Sequence, residues 1–253
     1  MTHPFFAGTR HPRVFAHRGL VPAGDPSLWE NTAGAFAAAH AAGAEYIETD
    51  CQVTADGDLV LFHDDTIERL TGDPRAIADI RTRELSRLFA DHGGLMSVAD
   101  ALDAFPESRF NIDVKTAAAT EPIGPILAQH THRVLVTSFS DARRRAALDS
   151  IRRAGASMPP ATSGGRTTIL ALRTLSALHL SPARVLRGVD AVQIPERHAG
   201  FRLLTPQLLR AAHAHGVEVH VWTINEATDM LRLIAEGADG VVTDRADLAL
   251  KTI

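Results

Sequence analysis

Two histidines stand at the ends of short apolar runs, and each has a charged neighbour. His17 follows the run VFA and precedes Arg18, and His63 follows the run LVLF and precedes Asp64. An imidazole can transfer protons near neutral pH, and a guanidinium can bind a phosphate or carboxylate group. Taken singly, each histidine is also consistent with a hydrogen-bonded residue at a strand exit. Their meaning therefore depends on the residues that the fold places around them.

Carboxylates recur at the spacing of a strand. Glu48 and Asp50 lie two residues apart, so that in a strand both side chains point to one face. Two carboxylates in an apolar setting repel each other unless a cation lies between them, and oxygen ligands favour a hard ion such as Mg²⁺ or Ca²⁺. We therefore expect a divalent cation here, in preference to a solvated acidic pair. Asp113, in the next predicted barrel strand, would add a third carboxylate.

Lys115 shares a strand face with Asp113 and is one of only two lysines in the chain, the other being Lys251 at the C-terminus. Every other basic residue is arginine, which suggests that an internal lysine is kept for its chemistry. A compact ammonium suits a phosphoryl oxygen near a metal. The structural alternative is an ion pair between Asp113 and Lys115 that lines the barrel.

The elements that must position these residues alternate between apolar strands and helices. Such alternation indicates a parallel sheet with right-handed crossovers, and eight units in 253 residues fit a closed (β/α)8 TIM barrel. An open doubly wound sheet is disfavoured because no glycine-rich phosphate motif follows the first strand. Helices are expected at 32–42, 205–215 and 226–236. The predicted strands are 13–17, 45–51, 109–115, 133–138, 157–162, 191–195, 217–223 and 240–243, with a possible loop at 158–165.

One connection is much longer than the others. Between the second and third strands, residues 52–63 alternate around Asp56-Gly57, which is a hairpin signal. Residues 64–105 are predicted to form a small cap and the second barrel helix. The chain 1–253 is therefore predicted to be a single barrel domain with a cap insertion.

Several later residues could also face the mouth of such a barrel, where the strands end. Trp222 is predicted as a substrate wall, although a core position at the rim is nearly as consistent. Asp244 is expected to cap the last helix, and Gln193 is expected to face the mouth. His220 alternates with valines and is predicted to be structural.

Composition excludes several classes of function. The net charge is -4 and aromatic residues make up 5%, so neither a nucleic-acid backbone nor stacked bases are expected partners. The single cysteine, Cys51, excludes an internal disulfide and a cysteine-based zinc site. No apolar run reaches the ~20 residues of a membrane span, and the first residues do not resemble a signal peptide. A cytoplasmic protein with a small-molecule substrate is predicted.

In chain order the motifs are HRG, ENT, ExD, HD and NxDxK, followed by SF, VWTIN and GADGVVTD. This ordered set resembles the glycerophosphodiester phosphodiesterase family of (β/α)8 barrels. The resemblance implies hydrolysis of a glycerophosphodiester to sn-glycerol 3-phosphate and an alcohol. It implies His17 and His63 as the acid–base pair, Glu48, Asp50 and Asp113 as ligands of one divalent cation, Arg18 and Lys115 as phosphate-binding cations, Glu30 as a supporting residue and Asn31 as a helix cap.

Three departures from the family pattern are visible. Asp113 stands where the family usually has Glu, so the metal would lie closer to that strand or bind through water. Trp29 replaces the proline of the PENT motif, and the loop at 20–29 is long and is expected to overhang the site.

Two alternatives stay open at this point. One is a phospholipase D-like lyase that forms a cyclic phosphate, since the related sphingomyelinase D toxins use Asp as the third ligand. An exposed apolar patch on the loop at 20–29 would favour it. The other is a non-catalytic barrel that binds a phosphorylated ligand.

Overall fold

Eight parallel strands close into a barrel in the computed structural model, which describes residues 2–253. Around the barrel each strand pairs with its neighbour, and the first strand pairs with both the second and the last, which closes the sheet. The predicted (β/α)8 barrel is therefore confirmed. In chain order the strands are β1 (Arg13–His17), β2 (Tyr46–Val53), β3 (Leu59–Leu61), β4 (Arg109–Val114), β5 (Val134–Thr137), β6 (Ala161–Gly164), β7 (Ala191–Pro195), β8 (Arg197–His198), β9 (Phe201–Arg202), β10 (Glu218–Trp222) and β11 (Gly240–Thr243).

The barrel order is β1, β2, β4, β5, β6, β7, β10 and β11, while β8 and β9 form a separate hairpin. Helices lie between the strands. They are α1 (Ala33–Ala41), α2 (Glu68–Thr71), α3 (Thr82–Phe89), α4 (Val98–Ala104), α5 (Ile123–Leu127), α6 (Asp141–Arg153), α7 (Arg166–Ala177), α8 (Pro206–His213), α9 (Ala227–Ala235) and α10 (Ala246–Thr252).

The three helices predicted by range appear as α1, α8 and α9, and each begins one residue later and ends one or two residues earlier than predicted. Thr205 caps α8 by accepting a hydrogen bond from the backbone N–H of Leu208, and Pro206 takes the first helical position. Across residues 2–253, none of the helices has the length and apolar character needed to cross a bilayer.

Alternating side chains divide the core into two layers. Along β1, Val14 and Ala16 pack between barrel and helices, whereas Phe15 points inside the barrel beside Phe5 and Phe6 from the N-terminal segment. These buried phenylalanines close the lower end of the barrel interior. The upper end, where the strands finish, is left for polar side chains.

The predicted hairpin forms, and it leads into the predicted cap. Strand β3 runs antiparallel to β2, with Cys51 opposite Leu61. The segment 64–105 then carries α2 and α3 and ends in α4, the second barrel helix. Apolar residues of the hairpin and the cap form a cluster of their own, made of Val60, Phe62, Ile67, Ile77, Ile80, Leu85 and Phe89.

The fifth predicted barrel strand, 157–162, is wrong in position, and so is the loop predicted at 158–165. The strand is Ala161–Gly164. Pro159 and Pro160 have no N–H to donate to a neighbouring strand, so pairing begins after them. Thr162 and Ser163 are buried despite their polar side chains, and the Thr162 hydroxyl donates to the backbone oxygen of Val136 at 2.8 Å.

A buried ion pair joins β1 to β10 at the lower end. Arg13, 5% exposed, donates to the two carboxylate oxygens of Glu218 at 2.8 and 3.1 Å, and His220 Nε2 lies 3.0 Å from the same carboxylate. Burial would raise the pKa of Glu218, but the hydrogen bonds to His220 and Arg13 outweigh it and lower that pKa to about 2. His220 is fully buried, so its predicted structural role is consistent with its position.

Replacing Glu218 by Gln should lower the free energy of unfolding by about 3 kcal/mol at pH 7, because it leaves a buried guanidinium without its counter-ion. The depressed pKa stabilises the fold above the ordinary carboxyl pKa of 4.5, and that stabilisation is lost as the pH falls toward about 2. Urea unfolding of wild type and E218Q at several pH values would measure this difference.

The matched control is Glu121→Gln, which removes an exposed ion pair with Arg153 and should cost less than about 0.5 kcal/mol. An equal loss in both variants, or a loss in E218Q that does not shrink in acid, would contradict the prediction.

Candidate active site

The ends of the barrel strands surround a cleft of about 470 Å³. Its walls come from the loops after successive strands, as expected for this fold. All the side chains predicted to carry chemistry line this one cleft, although they come from distant parts of the chain. They are His17, Arg18, Glu48, Asp50, His63, Asp113, Lys115 and Trp222.

His17 is oriented by a carboxylate at the end of the last strand. Its Nδ1 lies 2.6 Å from Oδ1 of Asp244, and Asn225 donates to the other oxygen of Asp244 at 2.8 Å. Burial lowers the pKa of His17, but Asp244 and the nearby Glu48 carboxylate outweigh it, so the pKa is raised. The expectation that Asp244 caps the last helix is wrong, since α10 has no side-chain cap.

His63 has an equivalent partner in the next residue. Its Nδ1 lies 2.6 Å from Oδ1 of Asp64, and Arg69 of the cap donates to Oδ2 of Asp64 at 2.6 Å. Burial would raise the pKa of Asp64, but His63 and Arg69 lower it, so the carboxylate stays charged. Because both histidines engage a carboxylate through Nδ1, each can present Nε2 to a substrate.

The centre of the cleft is a buried group of carboxylates and cations. Asp50 lies directly opposite Asp113 on the neighbouring strand. Lys115 Nζ lies 2.8 Å from Asp50 Oδ1 and 3.0 Å from Asp113 Oδ2, and Arg18 Nε lies 3.4 Å from Asp50 Oδ2. Burial would raise the pKa of Asp50, but Lys115 and then Arg18 lower it. The ion pair considered as the structural alternative for Lys115 is therefore present.

Two carboxylate oxygens at this centre have no hydrogen-bond partner among residues 2–253. They are Oε2 of Glu48 and Oδ1 of Asp113, both buried. Burial and then the charge of Asp50 raise the pKa of Glu48 to about 8, and burial also raises the pKa of Asp113. If all three carboxyl groups were ionised, their negative charge would exceed the positive charge of Lys115 and Arg18, and the raised pKa values reflect this excess.

No three His, Cys, Asp or Glu side chains of the described chain are already arranged to hold a metal ion. The ammonium of Lys115 lies between Asp50 and Asp113 instead. The predicted metal site on Glu48, Asp50 and Asp113 therefore stays a prediction, supported by the type of donor and by the unpartnered oxygens.

Glu30 and Asn31, in the connection between β1 and α1, contact a cation and a carboxylate of the site. Glu30 accepts a hydrogen bond from Arg18 Nη1 at 2.8 Å. Asn31 does not cap α1, because Thr32 does so. The Asn31 side chain instead donates to Asp50 at 3.2 Å and accepts from the Thr49 hydroxyl at 2.7 Å, so it fixes one ligand candidate.

The loop at 20–29 does not overhang the cleft as expected. Trp29 stacks on the His92 ring at 3.8 Å and packs edge-on against Phe89, and Leu20 is buried. The cleft-lining residues of the described chain include none from this loop. The long loop is therefore held against the cap, and the apolar patch that would favour a lyase does not form there.

Apolar side chains line the opposite half of the cleft instead. Trp222 lines the cleft and meets Phe139 edge-to-face at 5.9 Å, while its role as a substrate wall stays a prediction. Gln193 also lines the cleft and accepts from Asn111 at 3.0 Å. His198 lines it as well, although nothing in the sequence around it predicts this position.

The fold is a (β/α)8 barrel, and its mouth holds two histidines that are each oriented by a carboxylate. A family model described as "Glycerophosphoryl diester phosphodiesterase family" matches residues 16–248. The Mycobacterium tuberculosis protein named "Probable glycerophosphodiester phosphodiesterase 2" is 37% identical over 240 residues, covering 93% of this chain and 88% of that protein. The chain belongs to the glycerophosphoryl diester phosphodiesterase family, which confirms the resemblance found in the sequence.

Solved structures share the fold. A glycerophosphodiester phosphodiesterase from Thermotoga maritima superposes with a TM-score of 0.70 at 24% identity, over 96% of this chain and 99% of that one. An Oleispira antarctica phosphodiesterase in complex with the product sn-glycerol-3-phosphate gives a TM-score of 0.72 at 21% identity, over 96% of each chain.

Replacing Asp244 by Asn should lower the pKa of His17, because it removes the charged partner of Nδ1 that raises it. Histidine ring signals followed by NMR against pH in metal-free protein would measure the shift. Asp247→Asn, which loses only a contact with Arg245, is the matched control and should leave His17 unchanged. An unshifted His17 in D244N would contradict the assignment of Asp244 as its positioning residue.

Proposed function

We propose that this protein hydrolyses a glycerophosphodiester to sn-glycerol 3-phosphate and an alcohol, with His17 and His63 as the acid–base pair. The observation that carries the proposal is the matched setting of the two imidazoles. Each is oriented through Nδ1 by a carboxylate, and both line the cleft that contains Arg18 and Lys115. The bound product in the Oleispira antarctica phosphodiesterase supports the same class of substrate.

In this mechanism one imidazole takes, at its Nε2, a proton from the nucleophile, which is either water or the 2-hydroxyl of the glycerol group. In the second route water then opens the cyclic phosphate to give sn-glycerol 3-phosphate. The other imidazole, protonated beforehand, gives its proton to the alcohol oxygen as the bond from phosphorus to that oxygen breaks. Arg18 and Lys115 offset the negative charge on the phosphoryl oxygens in the transition state. Asp244 and Asp64 hold the two rings in place and stabilise their protonated forms.

Glu48, Asp50 and Asp113 would hold one divalent cation, Mg²⁺ or Ca²⁺. Their fit to such an ion rests on hard oxygen donors, on two buried oxygens without partners and on the raised pKa of Glu48. When bound, such an ion polarises a phosphoryl oxygen and lowers the pKa of a nearby hydroxyl. A cytoplasmic location and the single-domain assignment of 1–253 belong to the same proposal.

Phosphorus NMR of glycerophosphocholine and glycerophosphoethanolamine incubated with the protein would test both the reaction and the cation. Glycerol 3-phosphate should form with Mg²⁺ or Ca²⁺ present and should not form after EDTA, because the carboxylates then lack their counter-charge. Replacing the chelated ion in excess should restore the product.

The other outcomes of that experiment point to the alternatives. A cyclic phosphate that persists as the final product would assign the protein as a lyase. Unchanged diesters in every sample would favour a barrel that binds a phosphorylated ligand without catalysis. Equal turnover with and without EDTA would overturn the proposed metal site.

Substituting either His17 or His63 by Ala should lower kcat about 10²–10⁴-fold, as expected for loss of general acid–base catalysis. Folding should be unaffected, since neither ring belongs to the buried apolar clusters. His215→Ala, an exposed histidine outside the cleft, is the matched control and should retain full turnover. Near-normal turnover in both site variants would refute the assignment.

A further inference from the structure

One half of the cleft mouth exposes large apolar side chains to solvent. Phe139 is 43% exposed, Leu170 is 66% exposed and Phe201 is 76% exposed. Phe139 and Leu170 line the cleft, after β5 and in the first turns of α7. Exposed apolar groups grouped at the entrance of a site mark a contact surface more often than single ones scattered over a protein.

Phe201 lies in the β8–β9 hairpin, which follows β7 at the same end of the barrel. Ala199 and Gly200 form its two-residue turn with positive φ values of 47° and 83°, and His198 pairs directly with Phe201. Residues paired across two strands extend from the same face. Because His198 lines the cleft, Phe201 extends from the hairpin face that borders the mouth.

Two arginines accompany the apolar residues on α7. Arg166, Leu170 and Arg173 follow at helical spacing and share one side of that helix. The Arg166 guanidinium lies 4.9 Å from the centre of the Phe139 ring. No carboxylate of residues 2–253 lies within ion-pair distance of Arg166 or Arg173, in contrast to Arg202, which pairs with Glu196 and Glu236.

We propose that these residues dock the mouth of the barrel onto an anionic lipid surface. The set is here called the apolar rim and consists of Phe139, Arg166, Leu170, Arg173 and Phe201. Phenylalanine and leucine enter the boundary between headgroups and acyl chains, and unpaired arginines bind lipid phosphates. The chain as a whole carries a net charge of -4, so a rim with free cations is a local exception and complements an acidic bilayer surface.

This arrangement would turn the cleft toward the bilayer. The rim lies on the side formed by the loops after β5, β6 and β7, whereas the histidines and carboxylates come mainly from β1, β2, β3 and β4. Docking through the apolar rim therefore does not involve the histidines and carboxylates on the other side of the cleft.

Co-sedimentation with vesicles of phosphatidylcholine alone, or of phosphatidylcholine with phosphatidylglycerol, tests the proposal. The wild-type protein should partition onto the phosphatidylglycerol vesicles and release from them as salt is raised. Phe201→Ser should weaken partitioning about tenfold, from the loss of one inserted aromatic side chain. Arg173→Gln should weaken it about fivefold, from the loss of one cation near the surface.

Leu178→Ser and Arg184→Gln are the matched controls. Leu178 is 61% exposed at the far end of α7, and Arg184 is exposed in the loop that follows, so both should bind vesicles as wild type does. Phe201 does not line the cleft, so F201S should hydrolyse soluble glycerophosphocholine at the wild-type rate, which separates this proposal from the proposed function.

Absence of wild-type partitioning onto phosphatidylglycerol vesicles would overturn the proposal. Equal partitioning onto both vesicle types, or equal losses in F201S and in L178S, would also overturn it. An apolar rim that binds another protein instead of lipid would also show no partitioning onto phosphatidylglycerol vesicles.

Discussion

Three carboxylates buried side by side at the mouth of the barrel determine the arrangement of this site. The pairing of β2 with β4 places Asp50 opposite Asp113, and the two-residue period of β2 adds Glu48 on the same face. Uncompensated charges of this kind are costly to bury. Lys115 and Arg18 balance Asp50, while the unpartnered oxygens of Glu48 and Asp113 show that the balance is incomplete. A proton on Glu48, whose pKa is raised to about 8, or an added cation would complete it.

The closed barrel explains how distant residues meet around these carboxylates. His17 and Asp244 are 227 positions apart in sequence, yet β1 pairs with β11 and so their ends are neighbours. On the other side, Asp64 and Arg69 connect His63 to the cap. The two histidines are thus fixed independently, one by the closure of the barrel and the other by the inserted cap. A pair held in this way can keep its separation while substrate enters.

Much of this site was predictable, because strand ends and two-residue spacing identify side chains that face a barrel mouth. His17, Glu48, Asp50 and Asp113 were located in this way. The contact between Asp244 and His17 is not predicted from the sequence, although the position of Asp244 after the strand that neighbours β1 is a usable signal. Asn31 was misassigned because a polar residue before a helix suggests a cap, and only the packing shows that its side chain turns to Asp50. The strand after Pro160 was misplaced because its buried residues are small and polar.

The lower end of the barrel contributes stability to the fold, and the upper end holds the groups that are proposed to carry the chemistry. At the lower end Phe5 and Phe6 fill the interior, and the charge of Arg13 is matched by Glu218 through two hydrogen bonds. Those groups have their partners and stabilise the closed sheet. At the upper end the carboxylates lack full compensation, an arrangement that opposes folding but leaves charge available for a ligand. Because the same eight strands run through both ends, the well-packed lower half offsets the cost of the unbalanced upper half.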